Sequence, residues 1–152
     1  MSYNTIKLKK YQDIIEEYTA TAAAITPGDL LEVTSGGLVQ AHSTDGGPVL
    51  PVIALEDELQ GNGIDTDYAD DAKIQCWVAQ TGEMAYLNVA TGEDVSQGDE
   101  LLSNGDGTVK VYTGDSSGAE EYPNCIVGIA DDDLDMGDSD DAEIGRVAVR
   151  IM

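Results

Sequence analysis

The sequence predicts an all-β protein: two tandem small β-barrel or β-sandwich units, made by an internal duplication, behind an extended N-terminal arm. Three observations predict it. Short apolar runs are separated every eight to twelve residues by Gly, Asn and Asp clusters. Two glycine-rich turns sit between apolar runs in the manner of hairpins. The chain also repeats itself at an offset of 70 residues.

Residues 1–24 form the arm. Ile6 and Leu8 alternate with polar neighbours, as an extended segment does, while Tyr11, Ile14, Ile15 and Tyr18 recur at helical spacing. A short helix and an arm that orders only on a partner both fit that pattern. Pro27 closes the segment. Next, Gly36-Gly37 separates LLEV from LVQA, and Asn104-Gly105-Asp106-Gly107 separates ELL from TVKVY. Such residues tolerate positive φ, so both stretches read as hairpins. IQCWVA, MAYLNV, NCIVGIA and RVAVRIM complete the expected strands.

The duplication is legible without gaps from Ile25–His42 onto Val95–Tyr112. Gly28 falls on Gly98, Asp29 on Asp99, Leu31 on Leu101, Gly37 on Gly107 and Val39 on Val109. DDAKIQCWVA from Asp70 falls on DDAEIGRVAV from Asp140 at the same offset, and VIALED at Val52–Asp57 resembles IVGIAD at Ile126–Asp131 after a shift of a few residues. The expected division is residues 25–80 for the first unit, 81–94 for a connecting hairpin and 95–152 for the second. A unit this small buries too little surface to be comfortable alone, so the two should share an interior.

Net charge is −23, unevenly placed. Residues 1–10 hold Lys7, Lys9 and Lys10 and no acid, so the rest of the chain carries −26. Such a body repels phosphates, which excludes nucleic acid as a partner. A hydrophobic share of 41% suffices for a packed interior, yet no apolar run reaches the roughly 18–20 residues of a membrane span. Charge also occupies the place of a secretory h-region, so no leader is expected. Few lysines, no Phe and an excess of Asp over Glu point to adaptation to molar salt, where repulsion is screened within about 3 Å. Cys76 and Cys125 form no C-x-x-C pair, which argues against zinc; free thiols are expected, with a single disulfide as the alternative.

Little in the chain can do chemistry. His42 is the lone histidine, and its repeat counterpart is Tyr112, which suits a strand-end position better than a base. No G-x-S-x-G elbow and no phosphate loop occurs. Carboxylates are plentiful, but an acid pair for glycoside hydrolysis lacks aromatic sugar platforms around it. In DDDLDMGDSDDAE at Asp131–Glu143, Gly137 and Glu143 fall at the sixth and twelfth places of an EF-hand loop, but Leu134 and Met136 occupy ligand places. Weak cation binding at Asp131, Asp133 and Asp135 stands against the plainer reading of a solvated acidic turn. The expectation is a protein with no catalytic residues, no cofactor and no built metal site.

Taken in order, the basic arm, ITPGDLLE, ALEDELQGNGID, SQGDELLSNGDGT and YPNCIVGIA resemble the capsid decoration (cement) proteins of tailed viruses across nearly the whole chain. The resemblance implies small β-barrels on the head exterior, made in the host cytoplasm, assembled as homotrimers and bridging copies of the major capsid protein. A further turret or spike protein could sit above them, and neither nucleic acid nor membrane is a partner. The extra Asp residues suggest a virus of a haloarchaeal host. Within that resemblance Ile6, Lys7, Leu8, Lys9, Lys10 and Tyr11 are the expected capsid-binding arm, adding a strand to a capsid sheet edge. Trp77, opposite Ile74, Cys76 and Val78 in a strand, is a candidate subunit contact or a core residue. The competing reading is a cell-surface or carbohydrate-binding β-module, such as a fibre or spike component.

Overall fold

The computed structural model describes residues 3–9, 14–21, 24–114, 125–136 and 145–152. Thirteen short strands and one 3-10 turn at Glu58–Gln60 make up the regular structure of those residues. After β1 (Lys7–Lys9) come β2 (Ile15–Ala20), β3 (Leu30–Thr34), β4 (Leu38–Ala41), β5 (Val52–Ala54) and β6 (Lys73–Val78). These last five close a barrel in the order β2-β4-β3-β5-β6. The chain then continues through β7 (Met84–Val89), β8 (Asp94–Val95), β9 (Glu100–Ser103), β10 (Val109–Val111), β11 (Ile126–Ala130), β12 (Leu134–Asp135) and β13 (Gly145–Ile151). Here β7-β10-β9-β11-β13 close a second ring through the β7–β13 pairing, β1 is added to β7, and β8 pairs with β12.

The two tandem barrels are the expected architecture, and the pairing register displays the duplication residue by residue. Leu31 faces Ala41 and Val33 faces Val39 in the first barrel; Leu101 faces Val111 and Ser103 faces Val109 in the second. The parallel contact of Ala20 with Val39 recurs as Val89 with Val109. Gly28 and Gly98 have φ of 96° and 98°, a region closed to most L residues. Their turns share one hydrogen-bond plan. Gly28 N donates to Ala54 O (2.9 Å) and Gly98 N to Ala130 O (2.8 Å). The Asp29 carboxylate accepts from Thr26 N, and that of Asp99 from Ser96 N, each at 2.9 Å.

Three expectations are corrected. The segment with helical spacing is β2: Ile15–Thr19 pair with β6 from Trp77 to Lys73, because a strand is needed to close the first ring. The unit boundaries move accordingly: residues 15–20 belong to the first barrel rather than the arm, and 84–89 to the second rather than to a connector. In the last strands the offset is 73, not 70, since Ile53 faces Trp77 where Ile129 faces Arg150. The DDA-x-I likeness therefore does not set the register of the last strands; residues 140–144 lie outside the described residues.

Strand alternation divides the apolar side chains between two cores. Ala20, Ile25, Leu31, Val39, Ile74 and Cys76 fill the first barrel. A larger cluster fills the second and runs across the seam to Leu30, Ile53, Leu55 and Trp77 on the outer face of the first. Burying one such side chain is worth about 1.5–3 kcal/mol, so the seam binds the barrels into one body. Both cysteines are free; Cys76 is buried and Cys125 half-buried. Burial raises the Cys76 thiol to about 12.

Candidate docking surfaces

The arm is held by the chain itself. Ile6 is fully buried in the larger core, Lys7 faces Ala85 and Lys9 faces Met84, and Tyr86 N donates to Ile6 O at 2.9 Å. Glu56, buried in the first barrel, accepts from Thr5 Oγ1 at 2.6 Å and Ile6 N at 3.4 Å. Tyr3 meets the Tyr86 ring edge-on, with centroids 5.2 Å apart. The expected strand addition thus happens within the molecule, on β7, because an apolar residue at position 6 can close that core. Lys7 and Leu8 are half-buried there; Lys10 and Tyr11 lie outside the described residues.

Beside the arm a cavity of about 450 Å³ is lined by Tyr3, Asn4, Gly63, Ile64, Asp65, Tyr86 and Arg146. Arg146, its side chain only 7% exposed, donates to Asp65 Oδ1 (2.7 Å), Ile64 O (2.6 Å) and Pro27 O (3.5 Å). A guanidinium from the second barrel therefore clamps two loops of the first. Nothing in the spacing of the sequence marks Arg146 for this; its value comes from long-range closure.

Trp77 faces away from Ile74 and Cys76 as its strand position requires, but it is wholly buried in the seam between the two barrels. That corrects its candidacy for a contact with another subunit: the face opposite the first core is covered by the same chain. Asp131, Asp133 and Asp135 are not brought together either. Asp131 pairs with Arg150 at 3.3 Å, and Asp133 Oδ1 accepts from Gln97 N at 2.7 Å, so these two carboxylates have separate partners. Among the described residues no group of three or more potential metal ligands occurs.

His42 lies under the seam with Ser103, both buried. Its Nε2 faces the Pro48 carbonyl at 3.2 Å, which can only accept, so Nε2 carries the hydrogen. Nδ1 then accepts from Ser103 Oγ at 2.7 Å. That serine oxygen in turn accepts from Gly105 N at 3.1 Å. The pair fastens the 42–48 loop to the second hairpin. On the surface, Leu50 and Met152 are exposed beside Cys125 and Ile126 around an apolar hollow.

No protein-family model matches the chain, and no curated protein matches it in sequence. Among solved structures, its fold is similar to the crystal structure of the head fiber gp8.5 N base of bacteriophage phi29. The TM-score is 0.58 at 15% identity, over 93% of this chain and 95% of that one. At this identity the likeness is one of fold, and it spans both barrels.

Proposed function

We propose that this chain is a structural virion protein on the outer surface of a tailed-virus head, where it stabilises the shell by bridging major capsid subunits. The observation that carries the reading is end-to-end likeness to the base of a phage head fibre, 93% of one chain on 95% of the other. The resemblance of the sequence to capsid decoration proteins points the same way. A rigid two-barrel body suits adhesion, since many weak identical contacts on a lattice add through shared geometry.

In this reading Ile6 anchors the arm, and the basic edge it carries faces acidic capsid. The outer edge of β1 pairs with no other described strand. Homotrimer assembly, adaptation to a saline host and freedom from catalysis belong to the same proposal. That the similar structure is the base of a head fibre favours a second reading, in which the barrels seat a longer fibre or spike on the head.

Reconstruction of the virion tests both. Paired-barrel density touching two or more capsid subunits is expected; its absence from heads overturns the proposal, and density continuing outward from each body selects the fibre base. Reversing Lys7, Lys9 and Lys10 to Glu should leave the fold intact and cut occupancy on heads by about tenfold or more. Unchanged occupancy removes the arm from the capsid contact.

A further inference from the structure

The duplication exposes a difference at one sheet edge. In the second barrel β13 pairs along one side of β7, while the other side is shared by β10 at Val89 and β1 at Met84 and Ala85. In the first barrel β6 pairs along one side of β2, and β4 takes the other side only at Thr19 and Ala20. Ile15 and Glu16 correspond to Met84 and Ala85, because each pair faces equivalent residues of the last strand. Among the described residues no strand covers that part of β2.

Its backbone groups point outward. Val78 N donates to Ile14 O and Ala20 N to Ala72 O, both at 2.9 Å. In an antiparallel ladder these bonds set the alternation, so Ile14, Glu16, Tyr18 and Ala20 turn their peptide groups toward β6 and Ile15 and Glu17 turn theirs away. Glu17 corresponds to Tyr86, whose N–H is the one given to Ile6. The edge is also open: Ile14 and Ile15 are 40% and 42% exposed. Next to it, Leu59 is 85% exposed at a small cleft that Ile15, Glu58, Gln75 and Lys7 of the arm also line.

We propose that the outer edge of β2 at Ile15–Glu17 accepts an extended basic strand from a partner protein, as β7 accepts β1 within the chain. Charge selects the partner. Glu16, Glu17 and Glu58 are exposed along this edge, so an incoming strand is favoured if it carries lysine or arginine between apolar residues. Ile6-Lys7-Leu8-Lys9 is the template within the molecule. A second copy is a poor donor, since its own basic strand is committed to β7 with Ile6 fully buried. The inference goes beyond the virion reading and stands without it.

The test titrates the full chain, at low salt, with a peptide of residues 3–9 as a basic probe and with the same peptide carrying Glu for both lysines. Amide shifts at Ile15 and Glu17 are expected with the basic peptide alone. Glu17→Pro removes an N–H that β6 does not use, and should weaken binding about tenfold or more without lowering the melting temperature. Should that variant fail to fold, Glu16→Lys with Glu17→Lys should weaken binding through charge. No binding, binding indifferent to these substitutions, or shifts confined to Met84–Tyr86 through displacement of β1 would each overturn the proposal. Self-association of the free chain that Glu17→Pro abolishes would give the edge to a second copy, and overturn the partner named here.

Discussion

The two barrels share a strand plan and a turn, and they differ wherever one touches the other. Position 77 holds a tryptophan that disappears into the seam, while its equivalent in the second barrel is Arg150, a half-exposed residue paired with Asp131. Asp29 is 6% exposed and accepts from Asn88 Nδ2 across the seam at 2.7 Å; Asp99, in the same turn of the other barrel, is only half-buried. Duplicated positions therefore carry the fold, and the departures between copies mark the contact that makes one body of two units.

Replacing each of a matched pair separates the two effects, and the largest is expected at the last strand. Trp77→Ala should cost about 3–5 kcal/mol, because it empties a buried site at the seam. Arg150→Ala should cost about 1 kcal/mol or less, as an exposed ion pair contributes little. Denaturant titration of both variants measures the difference. Equal losses would mean that the seam adds nothing beyond the two barrels.

The same pair shows where the sequence is legible. A positive-φ glycine followed by an aspartate that caps its own turn is a local requirement, so ITPGD and VSQGD announce themselves, and β3 and β4 repeat at the expected offset. Strand alternation also puts Trp77 on the face opposite Ile74 and Cys76, as the fold does. What covers that face is a matter of closure over long sequence distance, which periodicity does not carry, and the other barrel rather than another subunit covers it. Ile6 and Leu8 likewise read as an extended arm, while the receiving edge on β7 is visible only once that barrel closes. Loop length between strands is free to change, which is why the acidic DDA-x-I likeness misplaced the last strand by three residues. Arg146, Glu56 and the His42–Ser103 pair act across 50 to 119 residues of chain and have no local signature.

The aspartates sharpen the comparison in a second way. Burial raises the Asp29 carboxyl from 3.8 to about 6, although Asn88 and Thr26 N oppose the shift by hydrogen bonding to it. Because the folded value lies above the unfolded one, the folded protein binds more protons between pH 4 and 6. Its contribution to stability is thus fully present below the unfolded value and is lost as pH rises through about 6. Over that window the change is on the order of 2–3 kcal/mol. Asp29→Asn should flatten this part of the stability profile relative to the parent chain. A profile indifferent to Asp29→Asn would show that the seam admits water at this carboxylate.

The smallest expected difference lies in the glycines that precede those aspartates. Both have positive φ, so Gly28→Ala and Gly98→Ala each meet the same backbone strain of about 1 kcal/mol. A Cβ at Gly98 would point into open space. At Gly28 it would stand 3.0 Å from Tyr86 O and 3.2 Å from Asn88 Oδ1, on a strand of the other barrel that cannot retreat without loosening the Asn88 bonds to Pro27 O and Asp29. Gly28→Ala should therefore cost more than Gly98→Ala by about 1 kcal/mol, as overpacking a close contact does. Thermal unfolding of the two variants gives the answer. Matching melting temperatures would mean that the barrels can shift apart by a few tenths of an ångström at little cost, and that the seam is held by Trp77 and its apolar neighbours rather than by the fit of the turn.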